Sequence, residues 1–154
     1  MPLTDIIAPN AIFPALKVNN KKQAIQELAV QAAKLTGLNE RTILEVLQQR
    51  ERLGSTAVGS GVAIPHGKLA KLGGLFGLFA RLEKPIEFEA LDNQKVDLIF
   101  LLLAPEGAGA DHLKALAKVA RLLRDPEIAR KLRESESADA LHAVLKLPPA
   151  SSAA

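Results

Sequence analysis

Apolar residues recur at helical spacing behind Asn20, where Ala24, Ile25, Leu28, Ala29, Ala32 and Leu35 fall on one stripe. That spacing predicts a helix near 21–36, with Asn20 as its N-cap and Gly37 as its end. Asn39 is a second cap candidate, for a helix near 40–52 that carries Ile43, Leu44 and Leu47 inward. Its last turn holds Arg50 and Arg52, where the helix dipole favours positive charge. Further on the pattern changes. Val58–Ile64 reads as a strand in which Gly59 and Gly61 mark a bulge or a close backbone approach. Leu75–Leu82 is a second strand, Ile86–Phe88 a short third piece, and Leu91–Asn93 a turn. Val96–Ala104 is almost continuously apolar, as a central strand covered on both faces would be. After the loop 105–110, Asp111 is the expected cap of a helix near 112–124 with Leu113, Leu116, Ala117, Ala120 and Leu123 inside. Asp125-Pro126 restarts the chain as an N-cap and first helical residue, and Ser137 opens a final helix with Leu141, Val144 and Leu145. Residues 3–19, with prolines at 9 and 14, read as mostly irregular apart from a short strand at Leu16–Val18. Helices and strands mix without regular βαβ alternation, so the expected class is α/β, a mixed β-sheet sandwiched between helices.

A length of 154 residues fits one domain, expected over 1–147, with 148–154 (Pro-Pro-Ala-Ser-Ser-Ala-Ala) as a disordered tail. Hydrophobic residues make up 48% of the chain, enough for a core, but with five Phe and neither Trp nor Tyr that core must be aliphatic. Without aromatic platforms, and with a net charge of only +3 spread among mixed signs, nucleic acid is not an expected partner. Cysteine is absent, which removes disulfides, thiol catalysis and thiolate metal sites. No export signal stands at the amino terminus, and the longest apolar run is too short to span a bilayer, so a cytoplasmic protein is expected.

The candidate chemistry centres on residues 50–69, Arg-Glu-Arg-Leu-Gly-Ser-Thr-Ala-Val-Gly-Ser-Gly-Val-Ala-Ile-Pro-His-Gly-Lys-Leu. Here His66 is displayed between Pro65, which restricts the backbone before it, and Gly67, which permits conformations closed to other residues. It falls where the chain is expected to leave the sheet, a common place for a site; the plainer alternative is a turn histidine. His112 lies in the first turn of a helix, where a neutral imidazole and an anion are both favoured, and it could equally be an ordinary polar residue there. His142 lies off the apolar stripe of its helix and reads as a surface residue. Arg50 or Arg52 could offer a guanidinium fork to phosphate, and the hydroxyls and amides around Ser55 and Thr56 could bind an oxyanion, with Gly67 beside the histidine. No Walker loop, dinucleotide fingerprint or metal-ligand spacing is present, so neither a cofactor nor a metal is expected. Together these residues point to phosphoryl chemistry on His66, with Arg50 and His112 stabilising charge.

Residues 50–69 closely resemble the phosphorylation-site block of enzyme IIA domains of the fructose/mannitol class in the bacterial phosphoenolpyruvate-dependent phosphotransferase system. The likeness is strongest to the nitrogen-regulatory branch, and extends to Pro85-Ile86-Glu87-Phe88, to Asp92–Leu98 and to His112–Ala117. Ser60, where that branch often has Asn, and Ala57-Val58, for a frequent Gly-Ile, are departures. The resemblance implies that His66 is the phosphorylated residue, that Arg50 rather than Arg52 is the active-site arginine, and that His112 is the second active-site histidine. It implies a mixed sheet flanked by helices, no metal at the site, and a small histidine phosphocarrier protein as donor. Regulatory protein targets, such as potassium transport regulators or sensor kinases, would then be read by phosphorylation state. No IIB or membrane IIC segment follows this one domain, which favours a free-standing regulator over a sugar-pathway IIA that passes phosphate to a separate IIB. A binding module that works without phosphorylation is the alternative of another class.

Overall fold

The computed structural model describes residues 3–149, so the expected tail lies outside the described residues from position 150 onward. After a 3-10 turn at Leu3–Asp5 come β1 (Ile7–Leu16), α1 (Lys21–Thr36), α2 (Glu40–Arg52), β2 (Ala57–Gly59), β3 (Val62–Ala63) and β4 (His66–Leu69). There follow β5 (Phe76–Ile86), β6 (Val96–Pro105), α3 (Ala110–Arg124), α4 (Pro126–Glu134) and α5 (Ala138–Leu145). The strands make one mixed sheet in the order β1-β5-β6-β3-β2, with β4 also paired to β6.

The sheet is built around β6. From Leu98 to Ala104 every residue of β6 is buried, so both of its faces are covered. Helix α2 packs over β4, α3 over β6 and α5 over β1, while α1 lies against α2. Four of the five expected N-caps hold, at Asn20, Asn39, Asp125 and Ser137. Asn20 Oδ1 accepts from Gln23 N at 2.9 Å, Asn39 Oδ1 from Thr42 N at 3.0 Å, and Ser137 Oγ from Ala140 N at 3.1 Å. Gly37, at φ +76°, closes α1, and Asp125 caps α4 ahead of Pro126.

Four expectations are corrected. Residues 7–16 form a ten-residue strand despite Pro9 and Pro14. It is an edge strand, parallel to β5, and its register shifts between Ile7 and Ile12 and between Phe13 and Leu16. An edge tolerates residues that cannot donate to a ladder. Val58–Ile64 is not one strand but the hairpin β2–β3, because Ser60 and Gly61 both take positive φ (57° and 80°), the requirement of a tight hairpin turn. Likewise β5 runs through Lys84-Pro85 to Ile86, with a register shift between Arg81 and Ile86 absorbing the proline. Finally, α3 begins at Ala110 with Gly109 as N-cap, and its buried face is His112, Ala115, Val119, Leu122 and Leu123. Leu113 is left 68% exposed. The apolar positions of this helix admit two rotations, and packing against β6 chose the one that turns His112 inward.

Candidate functional site

His66 opens β4, and does not leave the sheet as the sequence had implied. Strands β3 and β4 lie end to end along one side of β6 in a common register, Val62 opposite Leu98 and His66 opposite Leu102. Ile64-Pro65 interrupts them, since Pro65 has no N–H for a ladder. At that break the Ile64 carbonyl lies 2.8 Å from His66 Nδ1. A carbonyl only accepts, so Nδ1 carries the proton and Nε2 carries the lone pair.

The guanidinium of Arg50, in the last turn of α2, meets that lone pair: Arg50 Nε donates to His66 Nε2 at 3.2 Å, and its Nη1 donates to the Gly54 carbonyl at 2.9 Å. Two residues place it there. Gly67 follows His66, and a Cβ on it would stand 2.2 Å from Val46 Cγ1. Val46 is one helical turn before Arg50, on the same face of α2. Glycine is therefore required at 67 for the close approach of the helix, and not for an unusual backbone angle as the sequence suggested. Arg52, by contrast, lines a separate cleft with Lys21, Lys22 and Gln48.

From the other side comes His112, 6% exposed, its ring centroid 5.8 Å from that of His66 in an edge-to-face arrangement at 67°. Its Nε2 is buried with no hydrogen-bond partner among the described residues. Burial pushes the pKa of His112 below its ordinary 6.5, and the neighbouring His66 and Lys68 push the same way. His66 is lowered as well, first by burial and then by the charge of Arg50, against opposing contributions from the Ile64 carbonyl and Glu51. Both imidazoles are therefore neutral at pH 7.

The hydroxyls expected near the phosphate are turned elsewhere. Ser55 Oγ donates to the Phe88 carbonyl at 2.6 Å, and Thr56, 4% exposed, donates its hydroxyl to the Glu51 carboxylate. They serve the loop rather than reach toward Nε2. Sequence reasoning missed Glu51 and Lys21, whose ammonium lies 3.0 Å from the Glu51 carboxylate. Nothing in the sequence joins positions 21 and 51, since they come together only when α1 packs on α2. Val46 was missed for the same reason.

What the arrangement offers is one nitrogen lone pair of fixed tautomer beneath a guanidinium, with a second neutral imidazole alongside. The sequence profile described as phosphoenolpyruvate-dependent sugar phosphotransferase system, EIIA 2, matches residues 5–147. The chain belongs to that family. It is 71% identical over 153 residues, 99% of this chain and all of the relative, to a nitrogen regulatory protein of Bradyrhizobium diazoefficiens. Its fold matches the crystal structure of nitrogen regulatory protein IIA-Ntr from Neisseria meningitidis with a TM-score of 0.88 at 36% identity, over 93% of this chain and 98% of that one. The mannitol IIA of Escherichia coli shares the fold alone, at a TM-score of 0.76 and 21% identity over 90% of this chain and 97% of that one. The first two of these likenesses fall in the nitrogen-regulatory branch, as the residues around His66 had indicated. Among the described residues, no helix is long and apolar enough to cross a membrane.

Proposed function

We propose that this enzyme IIA is a regulatory phosphocarrier that accepts a phosphoryl group on His66 Nε2 and governs cytoplasmic partner proteins by its phosphorylation state. The observation that carries the reading is the pair of contacts on one imidazole, Nδ1 on the Ile64 carbonyl and Nε2 under Arg50 Nε. The donor is a phosphohistidine on a small histidine phosphocarrier protein. In the transfer the Nε2 lone pair forms the new N–P bond while the donor's N–P bond breaks, and its electron pair returns to the donor imidazole. The proton on Nδ1 stays in its bond to the Ile64 carbonyl, which stabilises the positive charge the ring acquires. Such a transfer is mainly positioning and electrostatics, with little covalent work for the protein. Arg50 moves its donors from Nε2 to the phosphoryl oxygens, and the neutral His112, as its Nε2–H tautomer, donates to them from the nitrogen left without a partner among the described residues. No metal is needed to neutralise the group.

The arriving dianion changes the charge of the face around His66, and so changes which proteins complement it. Intact mass after incubation with phosphoenolpyruvate, enzyme I and the histidine phosphocarrier tests the reading. One acid-labile phosphoryl group is expected on the wild type and none on His66→Ala. An unlabelled, folded wild type beside a labelled control IIA would refute it and favour the binding module. Transfer from the labelled protein to an added IIB domain would assign the sugar pathway instead.

A further inference from the structure

We infer that Glu51 and Lys21 are a positioning pair that holds Arg50 over His66. The inference deepens the phosphocarrier reading and rests on it for its effect on rate, while its geometric content concerns the free protein.

Arg50 has two holds, His66 Nε2 and the Gly54 carbonyl. The second is only as firm as the segment that bears it. Gly54 sits at φ +144°, where a backbone has little preference of its own, and Leu53 before it is 85% exposed. Leu53 N–H and Gly54 N–H bond back to the Arg50 and Glu51 carbonyls at 3.2 and 3.1 Å, and two side-chain anchors fix the residues that follow. Thr56 gives both its backbone N–H (3.1 Å) and its hydroxyl to the Glu51 carboxylate, and Ser55 gives its hydroxyl to the Phe88 carbonyl. The Glu51 side chain is only 9% exposed, so its charge needs a partner, and Lys21 Nζ at 3.0 Å supplies one. The same ammonium reaches Glu89 at 2.9 Å and stands 4.9 Å over the Phe88 ring. Lys21 thus joins the two anchors into a closed circuit, Glu51 to Thr56 on one side and Phe88 to Ser55 on the other. Burial pulls the Lys21 pKa down, but its bonds to Glu89 and Glu51 raise it further, so it stays charged. Glu51 is no general base, because Oε1 takes Lys21 and the Thr56 N–H while Oε2 takes the Thr56 hydroxyl. Its charge also acts on His66 directly, raising the His66 pKa, but its positional effect runs through Arg50.

The test uses the full chain with Lys21→Met and Glu51→Gln. NMR follows the Arg50 Nε–H resonance and the His66 titration, and phosphoryl uptake from the phosphorylated histidine carrier is timed. Lys21→Met should shift or broaden the Arg50 resonance, raise the His66 pKa toward 6.5 as Arg50 loosens, and slow uptake by about tenfold or more, because misplacement near 1 Å costs on the order of 100-fold. Glu51→Gln should disturb the same resonance and slow uptake likewise. A folded Lys21→Met protein with the wild-type Arg50 resonance and His66 titration would overturn the inference, even if its melting point fell, because the pair would then be structural only. Should Glu51→Gln fail to fold, Lys21→Met, which leaves both Thr56 bonds in place, decides. Should the wild type take up no phosphoryl group, the carrier reading fails while the NMR comparison still judges the pair.

Discussion

Replacing Gly67 with alanine is expected to damage the site from a distance, through the packing of α2. The added Cβ would stand 2.2 Å from Val46 Cγ1, against an optimum carbon–carbon separation of about 3.5–4.0 Å. Some 1.5 Å must therefore be found. Val46 cannot easily rotate away, since a β-branched side chain in a helix has essentially one favoured rotamer. The relief is for α2 to lift. Overpacking of this kind costs about 1–3 kcal/mol, and for a chain of this size that lowers the melting point by ~2–12 °C. Arg50, a turn after Val46, rises with the helix. A displacement near 1 Å would slow phosphoryl uptake by on the order of 100-fold. The assay is a double-mutant cycle with Val46→Ala, which removes the methyl that collides. Urea unfolding should show a coupling of about 1–2 kcal/mol between the two sites, and uptake should recover in the double variant. A coupling of zero, or a folded Gly67→Ala protein with wild-type uptake, would refute the reasoning.

Removing the guanidinium with Arg50→Ala should slow uptake by on the order of 100-fold, the usual cost of losing one donor to a developing anion. It should also raise the His66 pKa, which Arg50 helps to hold down, and NMR titration reads that directly. Because the folded pKa values of His66 and His112 lie below 6.5, the unfolded chain binds more protons than the native one in the interval just under pH 6.5. Stability from these groups is thus complete above about pH 7 and is lost as the pH falls through that interval; urea midpoints taken across it should decline, and less steeply in His66→Gln. A flat profile would count against both shifts. Away from the site, Arg133 holds Asp97 through two bonds of 2.8 and 2.9 Å and the Ser60 carbonyl at 2.8 Å, tying α4 to the β2–β3 turn. Arg133→Met should cost about 1–3 kcal/mol in urea unfolding, the range for losing hydrogen bonds to a charged group, while leaving uptake unchanged.

The elements with strong local signals were legible in the chain. Caps at Asn20, Asn39, Asp125 and Ser137, the glycine after α1 and the apolar run of β6 are each decided within a few residues, by hydrogen bonds and periodicity that need no distant partner. The candidate site was legible in part, because residues 50–69 hold both Arg50 and His66 in one stretch. Local rules failed where a distant neighbour outvoted them. Pro9 and Pro14 argue against a strand, but β5 offers one with a free outer edge to hold them. Leu113 looks like a core residue, but the surface of β6 turned His112 inward in its place.

The sequence by itself determined which nitrogen chemistry was on offer, through one histidine framed by Pro65 and Gly67 and an arginine sixteen positions before it. Tertiary structure alone decided the tautomer, because the Ile64 carbonyl is turned onto Nδ1 by the break between β3 and β4. It alone decided the height of Arg50, through Val46 on Gly67, and brought Lys21 to Glu51 across two helices. Identity is written along the chain. Distance and orientation arise only when elements far apart in it are pressed together by burial.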